Sequence, residues 1–230
     1  MQNLTEVRKF TGENEESSGR GEILHYFYLH RRMVRVLVLG ATGSIGSRAA
    51  IALAIAGHDV TALIRTESST TKTLQQFGVR LAIGNITEVS SWENLFYSSK
   101  VIVLATNLKG SEVASIISLA TNKPGLTREK KVIVYTSGVL VYGLTTNNKP
   151  VDEFAPTNPI PGVEWRVDVE NQLLDSTLFE RTIVLRPGFV YGHNHGYLEA
   201  FGAVAGGKVP VVIGLKFFSS VFLFILKNNI

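Results

Sequence analysis

Val34-Arg35-Val36-Leu37-Val38-Leu39-Gly40-Ala41-Thr42-Gly43-Ser44-Ile45-Gly46 is the stretch that decides how the chain folds. Val34 to Leu39 is a short run of β-branched and leucine residues closed by a glycine, the composition of a buried strand. Ser44 to Ala56 is small and apolar throughout and stops at Gly57, as a helix would. Val60 to Ile64 is a second apolar run. Strand, glycine turn, helix and strand within about 30 residues form a βαβ unit, whose two strands lie parallel. The turn itself is chemically suggestive. A pyrophosphate needs bare backbone N–H groups within hydrogen-bond reach, and a Cβ there would hold it away. The helix N-terminus adds unpaired donors and a partial positive charge, and the last glycine lets helix and strand close on each other. Gly40, Thr42, Gly43, Ser44, Ile45 and Gly46 are therefore candidate dinucleotide-binding residues, because the glycines sit between a strand and a helix rather than in isolation.

The same alternation continues outward. Helices are expected near Thr71–Phe77, Ser90–Phe96, Glu112–Thr121 and Trp165–Leu178. Strands are expected at Val79–Ile83, Val101–Ala105, Lys131–Thr136 and Thr182–Arg186. Repeated β-then-α with apolar strands predicts an α/β fold, a doubly wound parallel sheet with helices on both faces.

The end of the second strand bears on which dinucleotide would be bound. An acidic residue there accepts a hydrogen bond from the ribose 2′-hydroxyl of NAD. Arg65 occupies that place, with Thr66 and Ser68 beside it and no acid at the strand end. A guanidinium suits a 2′-phosphate and offers nothing to a hydroxyl donor, so NADP(H) is favoured over NAD(H).

Composition narrows the remaining classes. The chain has 230 residues, 45% hydrophobic and 18% charged, which excludes a wholly disordered or collagen-like protein. It has no cysteine, so disulfides, thiolate metal sites and a cysteine nucleophile are absent. The formal charge is +4, yet residues 33–199 carry 15 basic against 14 acidic side chains. That near-neutral middle argues against a nucleic-acid partner, whose binding would need a basic patch on the folded part. Residues 1–32 are polar and aperiodic, with five acids and five bases, and read as a flexible leader without the apolar core of a signal peptide. The apolar run Phe217–Leu226 is too short for a transmembrane helix, which needs about 20 residues. A cytoplasmic location is expected. His193 and His195 read as a solvated loop and no metal site is expected. Asp152 and Glu153 read as loop solvation.

Three motifs in order carry a family resemblance: Gly40 to Gly46, Val141-Tyr142-Gly143 after a strand, and Arg186-Pro187-Gly188-Phe189-Val190-Tyr191-Gly192. Over residues 33–213 the chain resembles the extended and atypical short-chain dehydrogenase/reductases, which include the NAD(P)-dependent epimerase/dehydratase proteins. The resemblance implies a Rossmann domain at residues 33–200 holding NAD(P), followed by a substrate lobe. By the same resemblance, Asn85 and Ile86 would lie along the adenine, with Asn85 where the family usually has Asp. Leu104, Ala105 and Thr106 would lie beside the ribose, and Pro187, Gly188 and Phe189 would face the nicotinamide amide.

The catalytic positions depart from the family. Its hydroxyl residue falls on Gly138, with Ser137 one place early, and its Tyr-x-x-x-Lys falls on Gly162 and Arg166. Ser137 and Arg166 are the remaining candidate catalytic residues, and Tyr142 reads as a packing residue. The resemblance fades near Gly214, so residues 201–230 read as a remnant of the substrate lobe with a divergent apolar tail, as in a chain truncated at its C-terminus. The expected function is that of an NAD(P)-binding epimerase/dehydratase-like protein, NADP-preferring, acting on a sugar-nucleotide or small carbonyl substrate. The alternatives are a non-catalytic NADP-sensing or regulatory binding protein and a truncated, inactive family member.

Overall fold

In a computed structural model, the structure describes residues 33–121, 129–143, 151–188, 190–192, 195–196 and 223–228. The chain divides into two compact units, Met1–Met33 and Val34–Ile230. The second is a Rossmann-type α/β domain. Its strands and helices alternate as β1 (Arg35–Leu39), α1 (Ser44–Ile55), β2 (Asp59–Ile64), α2 (Ser69–Gln76), β3 (Arg80–Ile83), α3 (Glu93–Ser98), β4 (Val101–Leu104), α4 (Gly110–Thr121), β5 (Val132–Thr136), α5 (Glu164–Asp175) and β6 (Arg181–Arg186). After these come β7 (Tyr191–Gly192), β8 (His195–Gly196) and β9 (Leu223–Asn228).

The large sheet has the order β3-β2-β1-β4-β5-β6-β9. Its first six strands are parallel, and β9, from within the apolar C-terminal run, adds to β6 in the antiparallel sense. The chain runs outward from β1 to β3, then returns to place β4 against the other side of β1. This reversal opens a crevice at the carboxyl ends of β1 and β4, the usual ligand position in such sheets. β7 and β8, which hold His195 and the end of the third motif, pair as a separate two-stranded ribbon.

Alternation along each strand divides the core in two. Leu37, Leu39, Ile102, Leu104, Ile133 and Tyr135 face one side, against Phe96 of α3, Ile116 of α4 and Leu173 of α5. Val36, Val38, Val60 and Ala62 face the other, against Ala50 of α1 and Leu74 of α2. Burial on both faces is why these strands read as continuous apolar runs.

Element ends differ from the sequence expectation where side chains intervene. Helix α2 begins two residues early because Ser68 caps it: Ser68 Oγ accepts from Thr71 N at 3.3 Å, and Thr71 Oγ1 accepts from Ser68 N at 2.8 Å. The helix expected at Ser90–Phe96 is instead a 3₁₀ turn, Val89–Ser91, followed by α3. Between them lies Trp92, 1% exposed, whose Nε1 donates to the carbonyl of Ile86 at 3.2 Å. Helix α5 ends at Asp175, short of Leu178, because Ser176 is extended and its hydroxyl accepts from Leu178 N.

A buried ion pair joins α5 to the end of β6. Arg186 Nε lies 3.2 Å from each carboxylate oxygen of Glu170, and its Nη2 also donates to Glu170 Oε2. Both residues are at most 4% exposed. The third guanidinium nitrogen donates to the Tyr142 hydroxyl, and the Tyr142 ring lies 4.7 Å from the guanidinium carbon. One arginine thus ties α5, β6 and the 3₁₀ turn Val139–Tyr142 together. Removing one partner leaves a buried charge without its counter-ion, so Glu170→Gln should cost about 3–5 kcal/mol in denaturant unfolding. Glu170→Met with Arg186→Met should lose less than Glu170→Gln alone, because no charge is then stranded.

Candidate functional site

The glycine turn lies at the carboxyl end of β1 and each glycine has a different reason to be there. Gly40 has φ +87°, and a Cβ on it would fall 2.4 Å from the carbonyl oxygen of Ala105. A Cβ on Gly46 would meet the carbonyl oxygen of Gly40 at 2.2 Å, so only glycine lets α1 start this close to β1. Gly43 has φ −80°, and its closest neighbour would be the Gly40 carbonyl oxygen at 3.5 Å. Among the described residues nothing crowds a Cβ at 43. What its missing Cβ leaves clear is space on the crevice side.

Gly43 is also the N-cap of α1, with no side-chain cap and no acid in the first turn. Its own N–H is used, donating to Gly40 O at 3.1 Å, and its carbonyl accepts from Ser47 N. The first-turn N–H groups of Ser44, Ile45 and Gly46 have no partner among the described residues, a donor set suited to an anion. These residues fit the pyrophosphate of a dinucleotide.

Around the turn is a cleft of about 320 Å³. Gly40, Thr42 and Gly43 form one end, and Ile64 and Arg65 at the end of β2 form a side. Gly84, Asn85 and Ile86 after β3 form another side, with Ala105 and Thr106 after β4 closing it. Most of the expected cofactor residues therefore line one crevice. Leu104 is wholly buried in the core, which leaves Ala105 and Thr106 as the lining of that strand end. Leu39, Leu63 and Ile64 also line the cleft and were not singled out from the sequence, since apolar strand ends look like core.

The loop after β3 is held in place by its own side chains. Ser91 Oγ donates to Glu88 O at 2.6 Å and accepts from Asn85 N at 3.1 Å. Asn85 Oδ1 accepts from Thr87 N. Ser68, expected beside Arg65, spends its hydroxyl on the cap of α2, whereas the exposed Arg65 has no ion-pair or hydrogen-bond partner among the described residues. Pro187 and Gly188 follow β6, with Pro187 O accepting from Val139 N at 3.1 Å; Phe189 and His193 lie outside the described residues.

A second group of polar residues gathers where β5 meets α5. Tyr135 lies in β5 on the face covered by α5, and Ser137 follows the strand's end, its N–H donating to Leu185 O at 2.7 Å. Ser137 is 6% exposed and Tyr135 is fully buried, and neither hydroxyl has a hydrogen-bond partner of good geometry among the described residues. Burial pushes the Tyr135 phenol up to about 12; the guanidinium of Arg166 beside it works in the opposite direction and Glu170 adds to the rise. Arg166 donates through Nη2 to Asn107 Oδ1 at 2.9 Å, and its guanidinium carbon sits 4.6 Å from the Trp165 ring centre. Asn107, like the leucines, was not foreseen.

Both phenols near this group are shifted away from the range of a general base at neutral pH. Tyr135 is raised, and burial also raises Tyr142, against the opposing pull of Arg186. The place expected for the family tyrosine is Gly162, at φ +94°, a backbone conformation that a tyrosine would adopt only under strain. The group thus consists of one guanidinium and two buried hydroxyls.

The sheet order with its β1/β4 reversal and the glycine turn together define a Rossmann-type α/β domain. Residues 33–122 of the chain match the NmrA-like family. No curated protein matches it. The fold is shared with solved epimerases and dehydratases. One is dTDP-glucose 4,6-dehydratase from Bacillus anthracis in complex with NAD, 17% identical over 77% of this chain and 64% of that one, TM-score 0.60. Another is an NAD-dependent NDP-hexosamine 5,6-dehydratase of tunicamycin biosynthesis, 18% identical over 79% and 65%, TM-score 0.58. A third is UDP-glucose 4-epimerase from Stenotrophomonas maltophila with bound NAD and formylated UDP-arabinopyranose, 22% identical over 62% and 48%, TM-score 0.52. The chain thus spans about half to two-thirds of their length. Among the described residues no helix is long and apolar enough to cross a membrane.

Three outcomes test this geometry. Gly46→Ala should unfold at clearly lower denaturant than the parent while Gly43→Ala unfolds close to it, because only the first substitution meets backbone. Tyr135→Phe removes a buried hydroxyl without a good partner and should leave the melting temperature unchanged or higher. Tyr135 also sets a pH dependence. Its folded pKa lies above the unfolded value of about 10, so its contribution is fully present below pH 10 and is lost as the pH rises toward 12. Tyr135→Phe should flatten that alkaline fall in stability, as followed by circular dichroism.

Proposed function

We propose that this chain is an NADP(H)-preferring dinucleotide-binding protein of the epimerase/dehydratase type. The observation that carries the reading is Gly43: a glycine that the protein's own packing does not require, at an uncapped helix N-terminus with open donors. Gly40 to Gly46 would hold the pyrophosphate, Asn85 and Ile86 the adenine side, and Ala105 and Thr106 the ribose side. Arg65, exposed and without a partner among the described residues, would take the 2′-phosphate. Pro187, Gly188 and Phe189 would face the nicotinamide end. When bound, the dinucleotide would supply a hydride donor or acceptor.

On this reading Ser137 and Arg166 bind and orient a substrate oxygen, from a small carbonyl compound or a sugar nucleotide, and do not relay its proton. A second reading has its own support: the expected phenol is replaced by Gly162, and both nearby tyrosines are raised. The chain would then sense NADP(H) through a partner rather than turn a substrate over. The domain division proposed is a leader at 1–32, the nucleotide-binding domain at 33–200 and a further segment at 201–230, in a cytoplasmic protein.

Thermal melting with NADP and with NAD separates these statements. Ligand at about 100 times its dissociation constant adds roughly 2.7 kcal/mol, several degrees for a domain of this size. The expected result is a larger shift with NADP, which Arg65→Asp reduces for NADP more than for NAD. Equal losses for both would remove Arg65 from the assignment. Oxidation of NADPH with a carbonyl substrate, abolished by Arg166→Ala, would favour the enzyme over the sensor.

A further inference from the structure

The opposite end of the same strands carries a second cleft, of about 410 Å³, that the dinucleotide reading does not use. It arises from the shortness of α3. On β1 and β2, Leu37, Leu39 and Leu63 face the core beneath α3 and its neighbours. Strand alternation puts Arg35, Asp59 and Thr61 on that same face, nearer the strands' beginnings. Arg80 stands opposite Thr61 in the β2–β3 register. Helix α3 has only six residues and ends at Ser98, so the starts of these strands form the floor of an open cleft with Leu95, Ser98 and Ser99 as its wall.

Its chemistry is that of an anion site with an apolar side. Arg80 Nη2 holds Asp59 Oδ1 at 2.5 Å. Arg35, the register partner of Asp59, has no side-chain partner among the described residues, so the floor carries two guanidiniums against one carboxylate. Thr61 and Ser99, 7% and 5% exposed, bring two hydroxyl-bearing side chains to this end of the strands. Both residues line the cleft. The volume lies in the range of small-molecule sites.

We infer that this cleft binds a small phosphomonoester carrying hydroxyl groups. Arg35 takes the phosphate through its planar fork, and the hydroxyls of Thr61 and Ser99 donate to the remaining oxygens. The Asp59 carboxylate, held by Arg80, accepts from a ligand hydroxyl, and Leu95 covers the carbon skeleton. The five residues of β1 separate this site from the glycine turn by roughly 16 Å, so the two ligands would not compete.

Calorimetric titration of glycerol 3-phosphate into the full chain, at fixed ionic strength and without dinucleotide, tests the assignment. Saturable binding is expected, weakened at least tenfold by Arg35→Ala and several-fold by Ser99→Ala, and unchanged by Arg65→Ala. Arg35 is exposed, so its substitution leaves the core intact. Absence of saturable binding at millimolar ligand would overturn the proposal. So would binding that Arg65→Ala abolishes and Arg35→Ala spares, since the phosphate would then sit at the glycine turn. Failure of NADP to bind bears on the other cleft only.

Discussion

The approach of Gly46 to the carbonyl oxygen of Gly40 is the contact on which the arrangement rests. With a Cβ only 2.2 Å from that oxygen, α1 would have to move off β1, and β1 is the strand from which the sheet is built in both directions. The same closeness sets the first turn of α1 over the crevice at the β1/β4 reversal. Gly40, at φ +87° and beside the Ala105 carbonyl, ties the turn to β4 as well. Packing and ligand binding therefore draw on the same few glycines. Gly43 is the exception, dispensable to the packing, and that is what marks it as a residue for a ligand.

Around the polar end of β5, electrostatics dominates packing. Glu170 and Arg186 are both buried and would be costly alone; together, with Tyr142 on the third guanidinium nitrogen, they join a helix, a strand and a turn. The Tyr142 hydroxyl is consequently occupied by structure. One helical turn before Glu170, Arg166 reaches out to Asn107 and lies beside the buried Tyr135. A lysine at 166 could steady a phenolate, but with Gly162 at the expected phenol position there is none to steady.

Much of this was legible in the order of residues. The strands are buried on both faces, so their apolar runs are unbroken, and the glycines punctuate them at the turns. Helix ends were less legible. Ser68 starts α2 early through a reciprocal bond with Thr71, and Trp92 interrupts the segment before α3 because its ring is buried and its indole nitrogen reaches Ile86. Leu104 belongs to a strand-end motif, yet its side chain turns into the core while its neighbours line the cleft. Sequence spacing gives a residue's place along the strand, and the pleat decides which face it serves.

From sequence alone came the βαβ unit, the parallel sheet, the glycine turn, Arg65 at the strand end, and Gly162 and Arg166 in place of a Tyr and a Lys. Those follow from local composition and period, which need no knowledge of distant neighbours. Only the tertiary structure decided that Tyr142 is bound to Arg186, that Tyr135 and Ser137 lack good partners, that Asn107 meets Arg166, and that β9 pairs against β6 in the antiparallel sense. It alone set Arg35, Asp59 and Arg80 around one cleft. Each of these depends on which strands lie side by side, and side chains 21 to 59 positions apart meet only after the sheet has closed around them.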